Sequence, residues 1–481
     1  MVFSVDGRVG ANVVVRLLGD WTGGRRPRAD ALRDALRGLV LEGQLPPGTR
    51  LPAERAFAAG LGVSRNLVTS ALDELRELGF VESRRGAGSW TSLPSGDGGS
   101  AGAGGWYPPG REDVVNFAQG TPEALPEVFE AVSRAQRRFT AAVAGHGYNP
   151  QGLRELRERI AERFEARGLA TTPDQVMITN GAQHAFALIL RSLVTPGERV
   201  LVEQPTYPNS LEAIRGMHAR PVAVPMVDGY WDLDLLEATL DQGAPRLAYL
   251  IPDFQNPTGA RMSERDRERL GAALKRHRTT AVVDETMVEL DLSTGPAPPP
   301  QAAFAESEVV TVGSASKVFW GGLRLGWIRA PGEFVRRLVA GRAAVDMGSP
   351  VLEQLVLSEL LEHSAESLPR RREQLRSGRD RLVSALGEWC PEWTYRVPEG
   401  GMSLWCDTGG HYGSRLVTAA ERHGVRLASP SRFAVEGELD SRLRLPYTLP
   451  AEVLEDAVGR IARAAAELSP ETEGACAQLV T

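Results

Sequence analysis

Between Ala29 and Thr91 the apolar positions first recur at the helical period and then break into two short β-rich runs. Leu32, Ala35, Leu36, Leu39 and Val40 fall on one face of a helix that Gly43 ends. After the rigid Leu45-Pro46-Pro47-Gly48, a second short helix carries Pro52 near its first turn and stops at Gly60, with Ala56 and Phe57 expected inward. Ser64 is a good N-cap for a third helix, whose inner face reads Leu67, Val68, Ala71, Leu72, Leu75 and Leu78. Two short helices joined by the turn Leu61-Gly62-Val63, followed by two short strands about a glycine turn, predict a winged helix-turn-helix. The extension 1–24 adds an apolar patch (Val13, Val14, Val15, Leu17, Leu18, Trp21) expected to pack on that unit.

From Pro173 the pattern changes. Gln175 to Thr179, Arg199 to Val202, Pro221 to Val224, Leu247 to Ile251, Thr280 to Val283 and Val309 to Val312 are candidate strands, separated by stretches long enough for crossover helices. That alternation predicts a mostly parallel α/β sheet covered on both faces. Ligands of such sheets bind outside the carboxyl ends of the strands, so chemistry is expected directly after each run. Between Ser92 and Asp113 the chain is rich in glycine and serine and has no periodicity. As a flexible coil, a linker of about 22 residues spans roughly 25 Å. The expected division is a DNA-binding domain over 1–92, a linker over 93–113, a large domain over 114–470 and a tail over 471–481.

Composition narrows the class. No stretch approaches twenty uncharged residues, and MVFSVDGRVG lacks the basic start and apolar core of a signal peptide, so neither membrane nor export is expected. Cys390, Cys406 and Cys476 are odd in number and scattered, which argues against a disulfide framework and a zinc site. A cytoplasmic location without a metal follows. Net charge is −6, yet Arg25 to Ser95 holds eleven arginines against eight acidic residues. A small DNA-contacting module on an acidic body gives this asymmetry. Arg65, Asn66, Thr69 and Ser70 point outward at the start of the third helix, where they can reach bases or phosphates of a major groove. Arg84 and Arg85 lie at the tip of the wing, suited to the phosphate backbone.

Candidate chemistry centres on lysine, because Lys275 and Lys317 are the only two in the chain. Lys275 lies in a run of charges, whereas Lys317 follows an apolar strand, between small residues, with Arg324 behind it. An amine can form a Schiff base and a guanidinium cannot. Thr179-Asn180-Gly181-Ala182-Gln183 follows another strand and opens a helix whose amides could hold a phosphate. Asn256 follows a third strand, in an Asn-Pro that reads equally as a turn. Asp284 ends a fourth, where an acid serves as a cap, a salt-bridge partner or a partner for a pyridinium nitrogen. Ser314 and Ser316 flank Lys317 with hydroxyls suited to a phosphate dianion.

Two resemblances attach to these residues. LPPGTRLPAERAFAAGLGVSRNLVTSALDELRELGFVESRRGAGSW resembles the winged helix-turn-helix domain of the GntR family, which implies sequence-specific binding to double-stranded operator DNA. The strand-end set, with GHGYNPQGLRELRERIAERF, VEQPTYPNS and PEGGMSLWCD, resembles the fold type I aminotransferase superfamily, which binds pyridoxal 5′-phosphate. That resemblance implies that Lys317 is the Schiff-base lysine, Asp284 the partner of the ring nitrogen and Asn256 a donor to the phenolic oxygen. It implies further that Tyr207 stacks on the ring, that Gly181, Ala182, Gln183, Ser314, Ser316 and Arg324 surround the phosphate, and that Arg444 holds a carboxylate of the effector. Arg442, two residues away on the same side of a strand, competes for that last role. Relatives commonly carry a tyrosine where this chain has Thr286, so weak or absent transamination is expected. The order of the halves resembles the MocR group, also called PdxR-like. This implies a regulator that senses pyridoxal phosphate or an amino compound, acts as a homodimer and admits a head-to-tail arrangement. The alternative is a working aminotransferase with an accessory DNA-binding domain.

Overall fold

The structure is a computed structural model that describes residues 9–19, 21–22, 26–41, 44–84, 88–92, 114–295, 297–410, 413–435 and 439–468. The expected linker, Arg85, Gly43 and Cys476 lie outside the described residues.

In the N-terminal unit, helices Ala29–Leu41, Glu54–Leu61 and Arg65–Glu77 close on a core of Leu32, Leu36, Phe57, Val68, Leu72 and Leu75. The hairpin of Val81–Arg84 with Gly88–Thr91 completes the wing. Ser64 caps the third helix, its hydroxyl accepting from the Leu67 amide at 3.3 Å. Two inward expectations fail. Ala56 is exposed, because the second helix turns Phe57, Ala58 and Leu61 to the core, an i, i+1, i+4 stripe. Leu78 is exposed, because it stands past the last helical turn and Phe80 fills the space instead. The N-terminal patch forms its own helix, Ala11–Leu18, and packs on Glu54–Leu61, burying Val14 and Leu18.

All six expected strands form and share one eight-stranded sheet. From one edge the order is Val176–Thr179, Gly326–Arg329, Val309–Ser314, Thr280–Asp284, Leu247–Leu250, Arg199–Gln204, Arg220–Val227 and Tyr230–Trp231. Gly326–Arg329 and Tyr230–Trp231 run against their neighbours, and the remaining pairs are parallel. Alternate side chains serve the two faces. Ala281 and Val283 enter one apolar cluster, while Val282, with Tyr249 and Val312, enters the other. Asp284 therefore points to the face of Val282 and Tyr249.

A smaller C-terminal layer pairs Thr394–Tyr395, Ser403–Asp407 and Arg442–Pro446 antiparallel, and helices Ser364–Trp389 and Ala451–Ala466, packed on each other, share its apolar cluster. Val115–Asn116, just after the linker, pairs with Val425–Arg426 and so joins this layer. The N-terminal unit rests on it through helices Ala29–Leu41 and Gly413–Arg422. Gln44 Nε2 donates to Ser431 Oγ at 3.1 Å, and Arg37 lies 3.7 Å from Glu421. Cys390 and Cys406 are free and buried, and burial pushes the Cys390 thiol up to about 12, too high for a reactive thiolate.

Candidate cofactor site and DNA-binding face

The carboxyl ends of four strands converge as the pattern requires. Helix Ala182–Leu193 starts at Gly181, whose φ of 91° suits glycine. Arg324 lies against it: a side chain at Gly181 would meet the Arg324 guanidinium at 3.2 Å, and Arg324 Nη2 donates to Asn180 O at 3.3 Å. Gly326 passes so close beneath that a Cβ there would stand 2.8 Å from the Ala182 amide nitrogen. Ser314 Oγ donates to Ser316 Oγ at 2.9 Å and receives the Ser316 amide at 3.2 Å. Helix amides, two hydroxyls and a guanidinium thus lie together at this strand end, donors of the kind an anion takes. Gln183 has turned aside, its amide donating to Asn209 O at 2.9 Å.

Asp284 is buried and receives the Tyr249 hydroxyl at 2.7 Å and the Thr286 amide at 2.8 Å. Burial and the adjacent Asp284 charge drive the Tyr249 phenol well above its ordinary range, so it stays a donor. Tyr249 was not singled out from the sequence. It sits two residues from the end of an apolar strand, where a tyrosine reads as core. Thr286 keeps a buried hydroxyl without a hydrogen-bond partner.

Lys317 Nζ donates to the Gly120 carbonyl at 2.9 Å. Burial, aided by the positive charge of Arg444, lowers its ammonium to about 8, with Asp284 opposing. Near neutral pH a useful fraction is therefore the free amine. Arg444 is buried; it donates to Ala118 O and, at 3.4 Å, to Asn256 Oδ1, and its guanidinium lies 5.1 Å from the Phe433 ring centre. Burial brings the Arg444 guanidinium down to about 10. Arg442 instead pairs with Asp407 at 3.0 Å, away from this cluster. The two arginines share a strand but not an environment. Tyr207 caps the helix Pro208–Gly216, and its hydroxyl accepts from Asn209 Nδ2 at 2.9 Å.

These residues suit pyridoxal 5′-phosphate on their own chemistry. The group around Gly181 offers donors for a dianion, Lys317 an amine of lowered basicity, and Asp284 a carboxylate held in place by two donors.

On the N-terminal unit, Arg65, Asn66 and Ser70 are exposed along one side of helix Arg65–Glu77. Thr69 is partly withdrawn: its hydroxyl donates to Glu54 Oε2 at 3.0 Å, and Arg65 Nη2 lies 3.4 Å from the same oxygen. Glu54 was overlooked because an acid on a DNA-facing surface gives no signal by itself. Arg84 ends the first wing strand, and Arg85 lies outside the described residues. Arg50 stacks over Trp90 at 5.5 Å beside the wing and is a further basic group on that side.

Comparisons with known proteins agree with both halves. Residues 112–461 match the model of aminotransferase class I and II, and residues 28–90 match that of bacterial regulatory proteins, gntR family. The chain is similar to the uncharacterized HTH-type transcriptional regulator YisV of Bacillus subtilis, 28% identical over 81% of this chain and 86% of that one. It is 31% identical to the probable rhizopine catabolism regulatory protein MocR of Rhizobium meliloti, over 63% of this chain and 66% of that one. Among solved structures it resembles LysN, the α-aminoadipate aminotransferase of Thermus thermophilus, crystallised with N-(5′-phosphopyridoxyl)-L-leucine. That match has TM-score 0.67 and 31% identity, and covers 74% of this chain and 93% of that one. The chain belongs to the aminotransferase class I and II family and, with a GntR-family DNA-binding region at its N-terminus, to the MocR/PdxR-like group of GntR regulators.

Proposed function

We propose that this protein is a transcriptional regulator that binds operator DNA through the winged helix and holds pyridoxal 5′-phosphate at Lys317, where the vitamin or an amino compound sets its state. When bound, the cofactor supplies a carbonyl that an amine can capture and a ring that withdraws electrons. Asp284 holds the ring nitrogen protonated, Asn256 donates to the phenolic oxygen and Tyr207 stacks on the ring. Gly181, Ala182, Ser314, Ser316 and Arg324 would receive the phosphate, with Gln183 contributing its backbone amide rather than its side chain. Arg444 receives a carboxylate of the effector in preference to Arg442.

One observation carries the regulatory reading. Lys317 and Arg444, the two residues that a cofactor and a carboxylate would engage, both donate to carbonyls of the segment 117–120. That segment lies a few residues past the expected linker to the DNA-binding domain. A ligand that takes either donor removes a tether from the segment directly after strand Val115–Asn116, and the difference between tethered and released forms is the free energy available to shift DNA affinity.

A homodimer completes the proposal. Phe129, Tyr148 and Met347 are exposed by 78%, 62% and 52%, an apolar set that a second copy would cover. In the head-to-tail form the partner's winged helix would take the same seat on helix Gly413–Arg422. A DNA-bound role places the protein in the cytoplasm, and among the described residues no helix is long and apolar enough to cross a membrane.

The second reading, a working aminotransferase, is favoured by the presence together of Lys317, Asp284, Asn256 and Arg444. Two assays separate the readings. Borohydride reduction of the cofactor-loaded protein should fix a label on Lys317, and steady exchange between amino acids and 2-oxo acids should be weak or absent. Sustained turnover lost in Lys317→Ala would favour the enzyme, and no label on Lys317 would remove both.

A further inference from the structure

Glu203 is a deeply buried acid near the site and has no part in the roles given above. It is the fifth residue of the strand Arg199–Gln204 and is 1% exposed. Three donors converge on its carboxylate. Oε1 accepts from Trp231 Nε1 at 2.7 Å and from the Ile251 amide at 2.9 Å, and Oε2 accepts from Gln255 Nε2 at 3.0 Å.

Gln255 is itself buried, and its amide is fully used. Its second N–H goes to the Pro205 carbonyl at 2.8 Å, and its oxygen receives the Thr258 amide at 3.0 Å and the Thr258 hydroxyl at 2.9 Å. The amide can take only one orientation while Glu203 presents an acceptor. Turned over, it would face Pro205 O and Glu203 with its oxygen and Thr258 with its donors. Pro205 lies two residues before Tyr207, and Gln255 directly precedes Asn256. A single carboxylate therefore fixes two loops that come from different strands, each carrying a residue to which the cofactor reading gives a role. Burial pushes the Glu203 carboxyl up to about 7 against the pull of its three donors, and among the described residues no cation forms an ion pair with it.

We propose that Glu203 is a positioning residue that acts through Gln255 to set Tyr207 and Asn256 against each other as one unit. The inference rests on the cofactor reading above. Asn256 governs the phenolic oxygen and Tyr207 the face of the ring, so their relative placement should tune the colour and affinity of the bound cofactor as well as the stability of the fold.

The test uses the full chain as E203Q, Q255A and the double variant E203Q/Q255E. Pyridoxal 5′-phosphate is titrated while its visible absorbance band is followed against pH, and the thermal midpoint of each cofactor-free protein is recorded. E203Q turns an acceptor into a donor opposite Gln255; about a tenfold rise in Kd is expected, with a shift of the band's pH midpoint. In the double variant the new carboxyl at position 255, kept protonated by burial, accepts from the new amide at 203 and donates to Pro205 O, so most of both changes should be recovered. Q255A keeps the Trp231 and Ile251 bonds to Glu203, and it should show the same shift even where E203Q does not fold. Wild-type Kd and pH midpoint in E203Q or, failing that, in Q255A would overturn the proposal. So would losses that follow the thermal midpoint alone and are not recovered in the double variant. Absence of a saturable band in the wild-type protein would instead overturn the cofactor reading.

Discussion

Lys317 donates its Nζ hydrogen to the carbonyl oxygen of Gly120 at 2.9 Å, a bond that spans almost two hundred residues of sequence. The amine that would anchor a cofactor is thus tied to the segment leading back to the DNA-binding unit. Its environment also sets its basicity, since burial and Arg444 together bring it to about 8.

The rate at which cofactor-free protein captures pyridoxal 5′-phosphate should rise with pH about a midpoint near 8. In Arg444→Met the midpoint should move up, because the largest charge opposing the ammonium is gone. The sign for stability follows. Lys317 is held below its unfolded value of 10.5, so the unfolded chain binds more protons between about 8 and 10.5, and this residue adds stability as pH rises through that range. Rapid-mixing absorbance across pH checks the first point; a midpoint that stays or falls in Arg444→Met contradicts it.

Arg444 and Arg442 should separate in effector binding. Arg444→Met should weaken spectral titration by amino acids more than tenfold, whereas Arg442→Met, which loses only its pair with Asp407, should leave it within about twofold. Equal losses in the two variants would remove the assignment.

Arg267 is 0% exposed and holds both carboxylate oxygens of Asp253, at 2.7 and 3.1 Å, beneath the loop that carries Asn256. Arg267→Met leaves a buried carboxylate unpaired and should cost about 3–5 kcal/mol in urea unfolding. Arg267→Met with Asp253→Asn should recover part of that loss. A cost below about 1 kcal/mol in the single variant would show that water reaches the carboxylate.

Arg65 is exposed on helix Arg65–Glu77, whereas Thr69 is bonded to Glu54. Arg65→Ala should weaken operator binding and reduce the salt slope by about 1, and Thr69→Ala should leave the slope unchanged. Operator binding by fluorescence anisotropy at several salt concentrations decides between them.

Much of this was legible from pattern alone. The six strands were marked by β-branched runs, and the rule that chemistry follows strand ends led to Gly181, Asn256, Asp284 and Lys317. What the pattern could not give were contacts between distant segments. Nothing local indicates that Gly120 would meet Lys317, that Tyr249 would support Asp284, or that Glu203 and Gln255 would join two loops. Arg444 and Arg442 were inseparable because two residues apart on a strand means the same face; their neighbours Asn256 and Asp407, far away in sequence, tell them apart. Ala56 and Leu78 failed because helix phase and helix end were uncertain by about one residue.

The central claim is that ligand state at Lys317 controls DNA affinity. The direct measurement is operator binding by the full chain, on a duplex selected from random sequence, with and without pyridoxal 5′-phosphate, for the wild-type protein and Lys317→Ala. The account predicts at least about a threefold change in Kd for the wild-type protein, corresponding to roughly 0.7 kcal/mol of coupling, and none for Lys317→Ala. Unchanged Kd in the wild-type protein, or an equal response in Lys317→Ala, would contradict it.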